Sequence, residues 1–211
     1  HTDYHRMMEE IIAGIRDREL RDGNPPSLLL HSCCAPCSTS VIAALSSFFR
    51  ITVFYYNPNI DDREEYEKRA SEQERLLSVM PTPFPGSFLE GDYRPDVFID
   101  LARNPEGDRE GGERCTLCYA LRLEKTAKVA HERSFDWFTS TLSVSPMKDA
   151  DRINVIGSAA GEKYGVAWLW SDFKKKDGYR QSIELSKEYG LYRQDYCGCS
   201  YSRRKGDAEL S

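Results

Sequence analysis

The spacing of apolar residues changes period several times along the chain. Met7, Met8, Ile11, Ile12 and Ile15 recur at helical spacing, which predicts an amphipathic helix over about 3–20. "RDGNPP" ends it. "SLLLH" has the length and flanks of a short buried strand. Helical spacing returns over 36–48, with Val41, Ile42, Leu45 and Phe48 on one face. "ITVFYYNPN" is the clearest strand, β-branched and aromatic and closed by Asn-Pro. "DDREEYEKRASEQERLLSVM" predicts a helix whose acidic first turn suits the helix dipole.

Strand, helix, strand, helix is the order of a parallel sheet with helical crossovers. Further on, "PTPFP" reads as a rigid turn, and a short helix is expected at about 94–103. The polar loop "NPEGDREGGE" leads into a long helix, "RCTLCYALRLEKTAKVAHERS". "FDWFTSTL" is a strand, "SPMKDADRINVIGSAAGEKYG" a loop and a helix, and "VAWLW" another strand. A basic tail runs through one more helix to "YCGCSYSRRK". The expected architecture is α/β: a single domain over 1–211 with a Rossmann-like, doubly wound parallel sheet flanked by helices. Such sheets bind ligands beyond the carboxyl ends of their strands. "HSCCAPCSTS" follows the first strand, and "TSTLSVSPMKD", after a later one, is expected to face the same crevice.

Length and charge narrow the picture. A chain of 211 residues buries a core without disulfide staples. No run of about 18 apolar residues exists, so no membrane span is expected. The charged first helix lacks a signal-peptide core. The expected location is therefore the reducing cytoplasm, where clustered cysteines are metal ligands or redox groups more often than disulfides. The net charge of -5 argues against a generic nucleic-acid binder. Yet residues 163–205 carry ten Lys/Arg against five Asp/Glu, while 1–162 carry nineteen against twenty-seven. A basic end on an acidic body permits a polyanionic partner there, although a solvated face would look the same.

The cysteines carry the chemistry. All seven fall in three groups: Cys33, Cys34 and Cys37; Cys115 and Cys118; Cys197 and Cys199. A CxxC pair at a helix start can aim both sulfurs at one metal, and helix N-terminal amides favour the thiolate. Gly198 allows a tight turn between the last two. Scattered structural cysteines would not cluster so. A thioredoxin-like dithiol leaves five thiols unexplained. A structural zinc site uses four ligands, usually as two knuckles in a small ribbon. An iron–sulfur cluster takes four thiolates at irregular spacing, and three more could hold a second metal with an open position. Residues and spacing reach a two-metal redox site in an α/β domain with a basic edge.

"LLLHSCCAPCS", "ERCTLCYALRLEKTA" and "YCGCSYS" resemble the signatures of the cobalamin-independent epoxyqueuosine reductases, the QueH family. "VFYYNPNI" and "TSTLSVSPMKD" also look like that family, and the resemblance covers nearly the whole chain in order. It implies an oxidoreductase of queuosine biosynthesis that reduces epoxyqueuosine at the tRNA wobble position, drawing on an unidentified electron donor. It implies a [4Fe-4S] cluster with a separate iron, and no cobalamin. By motif, Cys33, Cys34, Cys37, Cys115, Cys118, Cys197 and Cys199 become metal ligands, with Cys115 and Cys118 expected on the cluster and Cys37 on the lone iron. Tyr119, Asp195 and His31 are the candidate proton donors beside them. Lys148, Lys174, Lys175, Lys176, Arg203, Arg204 and Lys205 are the candidate RNA contacts.

The fold further resembles the PP-loop branch (HUP-like) of Rossmann-like proteins, which bind pyrophosphate on a glycine-rich first loop. "HSCCAPCST" lacks those glycines, so no ATP is expected. A PP-loop tRNA sulfurtransferase with an iron–sulfur cluster, and a non-catalytic metal-binding RNA module, are the competing readings.

Overall fold

β1 (Ser27–His31) is the central strand of a five-stranded parallel sheet, as seen in a computed structural model that describes residues 1–103 and 109–203. It pairs with β2 (Arg50–Tyr55) on one side and β4 (Trp137–Ser140) on the other. β3 (Ser87–Glu90) and β5 (Ala167–Trp168) form the edges, giving the order β3-β2-β1-β4-β5. This is the expected doubly wound arrangement. The helices are α1 (Tyr4–Asp22), α2 (Ala35–Leu45), α3 (Arg63–Val79), α4 (Pro95–Ala102), α5 (Glu113–Glu132), α6 (Ala150–Tyr164) and α7 (Gly178–Glu188).

Alternation along the central strands divides the core. Leu28, Leu30, Ile51 and Val53 face one way, onto Met8 and Ile15 of α1, Val41 and Leu45 of α2 and Leu76 of α3. Leu29, Phe54 and Phe138 face the other way, onto Leu123 and Ala127 of α5 and Ile153 and Ala160 of α6. The first helix therefore packs on the sheet layer, as its apolar stripe predicts, and Tyr4 stacks on Trp170 with centroids 5.8 Å apart.

The sequence pattern does not predict β3. This strand has only four residues, of which Phe88 and Leu89 are half-buried, so its alternation is too short to register. β5 is shorter than "VAWLW" suggests. Past Trp168 the chain is claimed by a side chain: Asn154 Oδ1 accepts from Trp168 Nε1 at 2.9 Å and from Ser171 N at 3.1 Å.

Candidate metal centre

After β1 the chain turns into α2, and after β4 it turns the other way, so a crevice opens between the two strand ends. Ligands of such sheets bind at this switch point. Three polar contacts fix the first turn. Ser32 Oγ donates to Gln73 Oε1 at 2.6 Å, Gln73 Nε2 donates to Ser38 Oγ at 3.0 Å, and Asn57 Nδ2 donates to Ser32 O at 2.8 Å. Cys33 and Cys34 lie at this turn, and Cys37 follows in the first turn of α2. The three sulfurs lie mutually within 4.8 Å, close enough to bind one metal ion. Cys33 Sγ and Cys34 Sγ are 3.8 Å apart. From the β4 side, Thr141 Oγ1 accepts the Cys33 N–H at 3.4 Å and lies 3.6 Å from its sulfur. The serine- and threonine-rich loop thus faces the crevice as expected. Hydrogen bonds from Cys34 and Cys37 hold the Cys33 thiol well below its ordinary range. The same bond pushes Cys34 up to about 12.

Cys115, Cys118, Cys197 and Cys199 line a second pocket together with Asn59, Tyr119 and Arg122. Among the described residues no three of these four sulfurs lie mutually within 4.8 Å. Cys115 and Cys118 sit on the first turns of α5, and Gly111 N donates to Cys115 Sγ at 3.2 Å. Cys118 and Cys199 pack together with Phe98 and Ala102 of α4. The Cys197–Cys199 loop is carried by α3. Arg69, 2% exposed, donates to Glu65 Oε1 at 2.7 Å, to Cys197 O at 3.0 Å and to Tyr196 O at 3.2 Å. Asp61 Oδ2 accepts from Ser200 N at 2.8 Å. Burial pushes the Cys118 thiol up to about 12 and also raises Cys199.

Three side chains act electrostatically on the thiols. Arg122 is fully buried on α5, and its Nε donates to Cys118 O at 3.4 Å. Tyr119 is buried beside it, and among the described residues its hydroxyl forms no hydrogen bond with the protein. Burial pushes this hydroxyl up to about 12, against the pull of Lys148. Lys148 is half-buried. Desolvation opposes its charge, but Cys197, Cys33 and Tyr119 outweigh that and hold it above the usual lysine range.

The other sequence candidates separate. His31 is fully buried with both ring nitrogens engaged. Tyr56 O can only accept, so His31 Nε2 carries the proton toward it at 3.0 Å. Nδ1 then accepts from Ser140 Oγ at 2.9 Å. This pins β1 to its neighbours. Burial, aided by Arg122, lowers its pKa to about 4, so the ring is neutral. Asp195 is exposed and lines neither thiol group. Lys148, Lys174, Lys175 and Lys176 share one cleft with the start of α1. Lys174 pairs with Asp172 at 2.9 Å, and Lys176 with Glu9. Arg203 lies elsewhere, over the Tyr196 ring and 3.7 Å from Asp62. Arg204 and Lys205 lie outside the described residues.

Motif and spacing do not single out Arg122, Asn59, Thr141 or Arg69. A helical wheel gives one signal: Cys115, Cys118, Tyr119 and Arg122 follow at i, i+3, i+4 and i+7, one face of α5.

The fold and the site together define a class: a doubly wound α/β protein whose clustered thiols, at the topological switch point, could hold a metal ion. The family model described as epoxyqueuosine reductase QueH matches residues 28–205. The chain belongs to the epoxyqueuosine reductase QueH family. It is 40% identical over 210 residues to the epoxyqueuosine reductase QueH of Streptococcus pyogenes, which covers 99% of this chain and 81% of that protein. The Haemophilus influenzae relative of that name is 42% identical over 193 residues, 90% of this chain and 77% of its own length. The Thermotoga maritima relative is 35% identical over 192 residues, 88% and 96% of the respective lengths.

Proposed function

We propose that this chain is an epoxyqueuosine reductase acting on tRNA. The observation that carries the reading is the division of the thiols, three at the end of β1 and four in the adjoining pocket, in a chain of this family. The reaction breaks both carbon–oxygen bonds of an epoxide and forms a carbon–carbon double bond. It consumes two electrons and two protons, and one water leaves.

The donor set fits a [4Fe-4S] cluster and a separate iron. Thiolates suit iron, and a multi-iron cluster holds its ligands further apart than a single ion does. We assign Cys115, Cys118, Cys197 and Cys199 to the cluster, and Cys33, Cys34 and Cys37 to the lone iron. When bound, these groups supply electrons one at a time and a Lewis acid. The chain's own residues do the rest. Tyr119 holds a proton at Oη beside the pocket, and Lys148 keeps a positive charge next to it. Thr141 and Ser32 fix the backbone that presents Cys33. His31 has no free nitrogen for proton transfer, and the exposed Asp195 stands outside, so Tyr119 is the donor we assign. The cleft of Lys148, Lys174, Lys175 and Lys176 receives tRNA phosphates, and the unpaired wobble base enters the crevice.

This reading treats 1–211 as one catalytic unit in the cytoplasm, supplied by a separate electron donor. No described helix is long and apolar enough to cross a membrane. The test is anaerobic preparation with iron and sulfide analysis, followed by reaction of epoxyqueuosine-containing tRNA with a chemical reductant, without cobalamin or ATP. Conversion to queuosine by an iron- and sulfide-loaded protein is expected. A zinc-only protein without conversion would overturn the reading.

A further inference from the structure

We propose that Arg122 is the internal counter-cation of the four-thiol pocket, and that its charge sets how readily an iron–sulfur cluster held there accepts an electron. The inference rests on the proposed function and assigns a role to a residue that binds no metal.

Arg122 is wholly buried, and both its terminal nitrogens, Nη1 and Nη2, have no hydrogen-bond partner among the described residues. A guanidinium presents five N–H donors in a fixed fork and does not lose its charge. Burying such a charge without an opposite one costs several kcal/mol by general estimates. The fork must therefore face a compensating negative charge. No carboxylate is ion-paired with it among the described residues; the groups that act on it most are Cys118, Cys197, Cys33 and Tyr119. The other buried arginines of the site are engaged. Arg69 binds Glu65, Tyr196 O and Cys197 O, and Arg114 lies 3.8 Å under the Tyr201 ring and donates to Ala102 O.

A cluster ligated by four thiolates is an anion, and it gains a further negative charge on reduction. A fixed cation in a low-dielectric pocket stabilises the reduced form more than the oxidised form. Hydrogen bonds to cluster sulfur act in the same direction.

The test compares Arg122→Gln and Arg122→Lys with the unaltered chain after anaerobic reconstitution. Iron and sulfide per chain are measured first, then the midpoint of cluster reduction by EPR-monitored titration. Arg122→Gln is expected to keep the cluster and to be harder to reduce. At the unaltered chain's midpoint, its ratio of reduced to oxidised cluster falls about tenfold or more, which is 59 mV for a one-electron couple. Arg122→Lys keeps the charge and is expected to shift less than Arg122→Gln. If Arg122→Gln does not load, a loaded Arg122→Lys with a near-normal midpoint supports the role, since charge alone then separates the variants. An unchanged midpoint in loaded Arg122→Gln overturns it. So do equal shifts in both variants, or failure of both to load, because each makes the shape of the arginine its contribution. An unaltered chain that takes up no cluster instead removes the proposed function.

Discussion

Gly198 shows how little freedom the Cys197–Cys199 loop has. Its φ is +127°, and an added Cβ would lie 2.7 Å from Ile60 Cγ1 and 3.4 Å from Arg69 Nη1. Gly198→Ala is expected to cost about 1–3 kcal/mol and to lower iron retention, read by thermal melting and metal analysis. Substitution separates the roles proposed for the thiols. Cys118→Ser should abolish most bound iron and sulfide together, whereas Cys37→Ser should lose lone iron and leave sulfide unchanged. Equal sulfide loss in both would refute the division of ligands. The cysteines were legible in the sequence because all seven cluster, which random placement of a rare residue does not produce. Arg122 and Asn59 were not legible. Their types are ordinary on surfaces, and only burial of atoms left without a partner among the described residues sets them apart.

At the scale of elements, α3 is the part that assembles the site. It grips the C-terminal segment at successive turns. Glu72 accepts from Tyr192 N at 2.9 Å, Arg75 donates to Tyr189 O at 3.2 Å, Tyr192 Oη reaches Glu65, and Arg69 holds Tyr196 and Cys197. Arg69→Met removes the cation and strands Glu65, a change of the kind that costs about 3–5 kcal/mol when the pair is buried. Iron in the four-thiol pocket should fall with it. Far-ultraviolet circular dichroism should keep its helical signal if the sheet layers hold without the loop. Arg75 also lowers the pKa of Glu72. That carboxylate therefore stabilises the fold at neutral pH, and the contribution is lost as pH falls through its lowered value. Glu72→Gln should melt lower at pH 7 and lose less on acidification. The helices and the long strands were legible from their periods. The grip of α3 was not, because Arg69 and its loop partners lie 127 and 128 positions apart. No local pattern records such a pairing.

On the scale of the whole molecule, the charge asymmetry resolves into separate surfaces. Lys148, Lys174, Lys175 and Lys176 share a cleft, whereas Arg203 is tied to Tyr196 and Asp62. Lys175→Ala with Lys176→Ala should weaken tRNA binding and reduce its salt slope by roughly one for each phosphate no longer neutralised, while Arg203→Ala leaves the slope unchanged. Filter binding across a salt series reads both. The sequence showed a basic end but could not tell a cleft from a paired surface arginine. One consequence follows from the four-thiol pocket. Two of its sulfurs belong to α5 and two to a segment some eighty positions later, so a cluster bound there as proposed would work as a clasp across that interval. Whatever binds only the folded form stabilises it by mass action. Loss of the cluster should therefore register first as a loosened tail, cut by added protease near Gly190 in metal-free protein and spared in loaded protein. Susceptibility to proteolysis then becomes a gauge of iron supply and oxidative damage, readable without any assay of the reaction.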